Sequence, residues 1–136
     1  QTTDLNFQYR ESRFINAYQI KTDSCISFLS SQLESLGLNS RERTDFITYW
    51  GPRLTENDFA LVQFMWDDAY NHKIGEVELT PAADNSRRVY ILYCGLEAYN
   101  EDIGTVPANY PKLNRQGKVL IEWGGSELPV PKVPMQ

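Results

Sequence analysis

The side chains of this 136-residue sequence that could carry chemistry are few: one histidine, His72, two cysteines, Cys25 and Cys94, and three glutamates at strand spacing, Glu76, Glu78 and Glu122. As a general base His72 would need a nucleophile. The sequence has no Gly-x-Ser-x-Gly elbow and neither cysteine sits in a nucleophile context. In the polar run Asp67-Asp68-Ala69-Tyr70-Asn71-His72-Lys73 it reads as an exposed loop residue. One histidine and two distant cysteines fall short of the closely paired ligands of a zinc site. Asp67, Asp68 and Asn71 lack the alternating oxygens and the glycine of a calcium loop. No metal or cofactor is expected.

Glu76, Glu78 and Glu122 have the residue type of a glycosidase acid and base, which must stand ~5 to 9 Å apart. Glu76 and Glu78 alternate with Val77 and Leu79, and Glu122 with Ile121 and Trp123. That is the pattern of the wet side of a half-buried strand. Glu122 remains the hydrolase candidate, behind a non-catalytic reading. Asp84 and Arg88, four residues apart across a turn, fit a structural ion pair that fixes a strand entry. Gly124-Gly125 follows Trp123 without the helix that a phosphate cradle requires. Among the eight tyrosines, Tyr99 and Tyr110 lie in polar surroundings and are the candidates for a carbohydrate contact.

Composition narrows the partners. Thirteen Lys and Arg against eighteen Asp and Glu give a net charge of -5, and the longest basic run is Arg87-Arg88. Neither phosphate counterion release nor attraction to anionic lipid has a cationic patch to work with, so no nucleic-acid partner is expected. Apolar runs are far shorter than the ~20 residues of a membrane span. A chain that begins at Gln1 reads as a mature product after removal of a leader, hence extracellular or cell-surface. Cys25 and Cys94 are then either one disulfide or two buried thiols.

The elements that must position these residues follow from periodicity. Ile26, Leu29, Leu33 and Leu36 share a helical stripe ended by Gly37. Asn39 and Glu42 have capping-box spacing ahead of Phe46, Ile47, Trp50 and Leu54, with Gly51-Pro52 expected to end or kink this second helix. Strands are predicted at Ala17 to Lys21, Phe59 to Trp66, Glu76 to Thr80, Arg88 to Tyr93 and Lys118 to Trp123. Val89, Ile91 and Tyr93 form one inward set. The expected fold is α+β, with two N-terminal helices on an antiparallel sheet of four to six strands, joined by a long connection from Gly95 to Gln116. The domain spans residues 16–127, between an extended arm, 1–15, and a Pro-rich tail, 128–136.

Three strings resemble, at matching order and spacing, a family of uncharacterised extracytoplasmic domains of predicted bacterial lipoproteins and cell-surface proteins. They are Phe46-Ile47-Thr48-Tyr49-Trp50-Gly51-Pro52, then Thr80-Pro81 with Asp84 and Arg88-Val89, then Glu122-Trp123-Gly124-Gly125-Ser126-Glu127. The chain departs from that pattern at Gly51 and Ala83, where the family tends to have Leu and Pro. The resemblance implies an exported protein and supplies no activity. The function expected is a structural or interaction module whose partner is a second copy or another cell-surface protein. Its contacts would come from Leu5, Phe7 and Tyr9 of the arm and Pro129, Val130 and Pro131 of the tail, with carbohydrate binding as the alternative.

Overall fold

The computed structural model describes residues 9–10, 13–67 and 85–130. Leu5, Phe7, His72, Glu76, Glu78, Asp84 and Pro131, and the strand expected at Glu76 to Thr80, lie outside them. The elements in chain order are β1 (Tyr9–Arg10), β2 (Arg13–Ile15), β3 (Ala17–Lys21), a 3-10 turn (Thr22–Ser24), α1 (Cys25–Ser35), α2 (Ser40–Leu54), β4 (Phe59–Trp66), β5 (Asn85–Leu96), β6 (Gly104–Val106) and β7 (Val119–Glu127).

The fold is α+β, and its main sheet is mixed. Strand order is β3-β4-β5-β7, antiparallel through the first three strands. β7 lies parallel to β5, with Arg88 opposite Glu122 and Val89 opposite Trp123. The expected wholly antiparallel sheet is corrected here. A parallel neighbour needs a crossover of a dozen or more residues, and the connection between Leu96 and Val119 is long enough to make it. A second sheet, β1-β2-β6, sits beside the first. It joins β3 at Asn16, whose φ of 54° turns the chain at the corner.

β4 and β5 are buried on both faces. On one face Ala60, Val62, Phe64, Val89, Ile91 and Tyr93 pack beneath Leu29 and Leu33 of α1 and Phe46, Trp50 and Leu54 of α2. On the other, Leu61, Met65, Tyr90, Leu92 and Cys94 form a separate core with Phe14 and Ile103. Tyr90, Leu92 and Cys94, which are not in the inward set expected of Val89, Ile91 and Tyr93, are therefore interior as well.

The start of α2 and the stop of α1 fall where their end residues dictate. Asn39 accepts the Glu42 amide at 2.9 Å while Glu42 accepts the Asn39 amide at 2.8 Å, a complete capping box. Gly37, at φ 101°, ends the first helical segment and lets Leu113 lie where a Cβ would be. Two expectations fail locally. Ile26 is 66% exposed and Cys25 takes its place on the buried stripe. Pro52 does not itself end α2, which runs on to Leu54, because it lies in the last turn and only the Thr48 carbonyl, on an exposed residue, forfeits a donor.

The described parts of both arms return to their own domain. Tyr9 and Arg10 pair with Phe14 and Arg13. Leu128 donates its amide to the Tyr93 carbonyl at 2.7 Å and packs on the second core. Only Pro129 and Val130 of the tail residues described are exposed.

Candidate functional site

The motif residues come together across α2, β5 and β7. Trp123 meets Phe46 edge-on at 5.2 Å between ring centres and lies 5.8 Å from Tyr49. Trp50, 6% exposed, stands edge-on to Tyr49 at 4.7 Å and to Tyr93 at 5.9 Å. Gly125 makes this possible. A Cβ there would lie 2.6 Å from Trp50 Cζ2 and 2.5 Å from Ile91 Cγ2, so no larger residue fits beneath the indole. Arg53 closes the outer side, its guanidinium 3.7 Å from the centre of the Tyr49 ring while it donates to the Tyr49 carbonyl. Pro52 is exposed beside it. Gly124 occupies the β7 position opposite Tyr90.

On the opposite face of the same strands, Glu122 Oε1 lies 3.2 Å from Arg88 Nε. Arg88 is buried, so this partner is the charge that balances it in the interior. The expected partner, Asp84, is outside the described residues. Glu122 is thus tied to structure, with its carboxylate occupied by the arginine across the strand pair.

Arg87 was legible in the sequence only as half of a basic pair. It is 2% exposed, and its guanidinium donates to the carbonyls of Leu36 at 2.7 Å and Pro111 at 2.8 Å while its Nε lies 3.1 Å from Asp67. One side chain therefore ties together the end of α1, the long connection and the turn after β4. Its sequence signal is its place at odd spacing with Val89 and Ile91, which puts it on the helix-covered face.

Of the tyrosines singled out, Tyr99 is 55% exposed and rests edge-on against Phe59 at 6.4 Å. Tyr110 is not a surface platform. Its ring packs against Trp66 at 4.8 Å and Phe64 at 6.3 Å, and its hydroxyl donates to Gln32 Oε1 at 2.6 Å. Burial, reinforced by the neighbouring Tyr18 hydroxyl, pushes the Tyr110 phenol far above its usual range, so it stays a proton donor.

The two cysteines are free and buried. Cys25 belongs to the core under the helices and Cys94 to the core on the other face, with the sheet between them. The disulfide alternative is thereby corrected in favour of two buried thiols. Burial raises Cys25 above the ordinary 9.0 and carries Cys94 to about 11. The folded chain keeps a proton that the unfolded chain would release. This contribution to stability is complete below pH 9.0 and disappears as pH rises through about 11. Titration with a disulfide reagent is expected to find both thiols in denaturant and to proceed slowly on the native protein at neutral pH. Rapid native reaction would show that these environments are open.

Among the described residues no helix is long and apolar enough to cross a membrane. No family model matches this chain, and no solved structure matches it. A partial match is found to E3 ubiquitin-protein ligase TTC3 of Rattus norvegicus, 40% identical over 47 residues. That stretch is 35% of this chain and only 2% of the ligase, so the chain spans a small fraction of that protein and the match assigns no family.

Proposed function

We propose that this chain is an exported, non-catalytic interaction module, akin to the extracytoplasmic domains that its three motifs resemble, and that its partner is a second copy. The observation that supports this is how closely the motif residues pack on and pair with one another. Glu122 pairs with Arg88, Trp123 fills the space over Phe46 and Tyr49, and Gly125 yields to Trp50. A motif whose members are buried against one another in this way builds a scaffold. A catalytic constellation leaves at least one group aimed at an open cleft.

The association surface that fits best is the edge of β7. Among the described residues this nine-residue strand pairs only with β5. Its outer edge offers a row of amides and carbonyls to another extended strand. Antiparallel pairing of two copies would set the Lys118 end of one strand beside the Glu127 end of the other. The arms are the weaker choice, since Tyr9, Arg10 and Leu128 are engaged within their own domain.

Sedimentation velocity tests the reading. The full chain should show a concentration-dependent dimer, and a chain trimmed to residues 9–130, which retains β1 and Leu128, should show the same dimer. Loss of association on trimming would return the interface to the arms. A full chain that stays monomeric at every concentration would overturn self-association.

A further inference from the structure

Between the C-terminal half of α1 and the long connection lies an open cleft of about 500 Å³, lined by Tyr18, Gln32, Glu34, Asn109, Tyr110 and Lys112 among others. The volume is within the ~300 to 1,000 Å³ of small-molecule sites. One wall is irregular chain, and ordering irregular chain costs backbone conformational entropy at every residue. Here that cost is met by tethers along the whole wall. The Ala108 amide donates to the Tyr18 hydroxyl at 2.8 Å, Tyr110 donates to Gln32, and Arg87 holds the Pro111 carbonyl. Leu113 seats against Gly37. Arg115 donates to the Gly37 carbonyl at 2.7 Å and pairs with Glu42 at 3.1 Å. A wall fixed this firmly is preorganised, which removes the ordering penalty from any ligand that enters.

The chemistry of the lining narrows the ligand. Tyr110 and Gln32 are joined by one hydrogen bond, which uses the Gln32 carbonyl oxygen and leaves its amide nitrogen to donate. Asn109, exposed on the connection, adds a donor and an acceptor on the opposite side. The two charges at the cleft, Glu34 and Lys112, are of opposite sign, so the lining carries no net charge to favour an anion or a cation. Ala108, Leu113 and the parts of Tyr18 and Tyr110 that reach the cleft supply its apolar lining. Amide donors and acceptors on both sides of the cleft, beside a small apolar lining and with charge balanced, suit a neutral molecule rich in hydroxyl groups.

We propose that the cleft between α1 and the connection is a binding site for a neutral saccharide, either a monosaccharide or the end of a glycan. The site lies away from β7 and does not depend on self-association. Tyr99, on the loop after β5, is not part of it.

The test uses the full chain with a glycan array and, for the best binder, titration followed by amide NMR. The expected result is a saccharide that shifts the side-chain amide signals of Gln32 and Asn109. Affinity should fall about tenfold or more in Asn109→Ala combined with Tyr110→Phe, a loss equivalent to about 1.4 kcal/mol. Tyr99→Ala should bind like the parent. Because Tyr110→Phe removes only a hydroxyl, an unchanged melting profile separates lost binding from lost fold. No binding by any saccharide on the array overturns the proposal. So does binding that leaves the Gln32 and Asn109 signals in place, or that survives the double substitution. The dimer expected in sedimentation is read separately, so failure of one result leaves the other intact.

Discussion

Arg87→Met will lower the stability of the domain by about 3–5 kcal/mol, the usual consequence of removing one partner from a buried ionic network. The methionine fills much of the arginine stem's volume, so the loss is not that of a cavity. It comes from three acceptors left behind: the Leu36 and Pro111 carbonyls and the Asp67 carboxylate. At this chain length each kcal/mol moves the thermal midpoint by roughly 3–6 °C. Arg87→Lys should recover only part of the loss, because an ammonium is a point charge and cannot reproduce a fork that serves carbonyls from two different segments. Equal midpoints for Arg87→Met and the parent in urea would show that these contacts contribute nothing net. Hydrogen exchange gives a second readout, since the connection around Pro111 should lose protection before the sheet does.

The second large effect is expected at the contact of Trp50 with Gly125. Gly125→Ala places a methyl group 2.5 Å from Ile91 Cγ2, 2.6 Å from Trp50 Cζ2 and 2.8 Å from the Ile91 carbonyl oxygen. Overpacking of this kind costs about 1–3 kcal/mol, and the nearby backbone oxygen places this site at the upper end. Trp50→Ala is expected to cost about 3–5 kcal/mol, as a large buried aromatic does when truncated. The informative experiment is the cycle with Trp50→Phe, which removes the ring edge that the new methyl would strike. Gly125→Ala should be milder in that background than in the parent, by an amount set by the indole clash alone, with the Ile91 contacts persisting. Strict additivity of the two changes in chemical denaturation would mean that Trp50 and Gly125 are not in contact.

The parts of this fold written in local chemistry are readable from the sequence, and the parts decided by what a segment meets are not. The capping box of Asn39 and Glu42 and the glycine stop at Gly37 depend on neighbours within four residues, and both appear where expected. The buried edge of α1 does not. Cys25 and Ile26 both keep helical spacing with Leu29 and Leu33, and the choice between them falls to the sheet. The run Val89 to Cys94 is apolar without a break, a sign of a strand covered on both sides. Reading only Val89, Ile91 and Tyr93 as inward missed the core built with Phe14 and Ile103. That core is roofed by strands of three residues, Arg13–Ile15 and Gly104–Val106, too short to show a period.

Strand direction was equally hidden, because alternation in Val119 to Glu127 is the same whichever way the strand runs. The length of the connection before it was the available hint of a parallel crossover. At the candidate site, Tyr110 was read as a surface residue and is instead packed against the core. Its polar sequence neighbours gave no sign of Trp66 and Phe64, which come from β4.

Long surface connections are where chains ordinarily accept inserted sequence and where proteases make their first cut. The stretch from Ala108 to Arg115 is closed to both uses. A protease needs several residues free to straighten into its groove, and here Ala108, Tyr110, Pro111, Leu113 and Arg115 are each held, one or two residues apart. A fusion or epitope placed there would cut the domain's internal ties, whereas the exposed bend at Glu97 and Ala98, immediately after β5, is the permissive point for grafting.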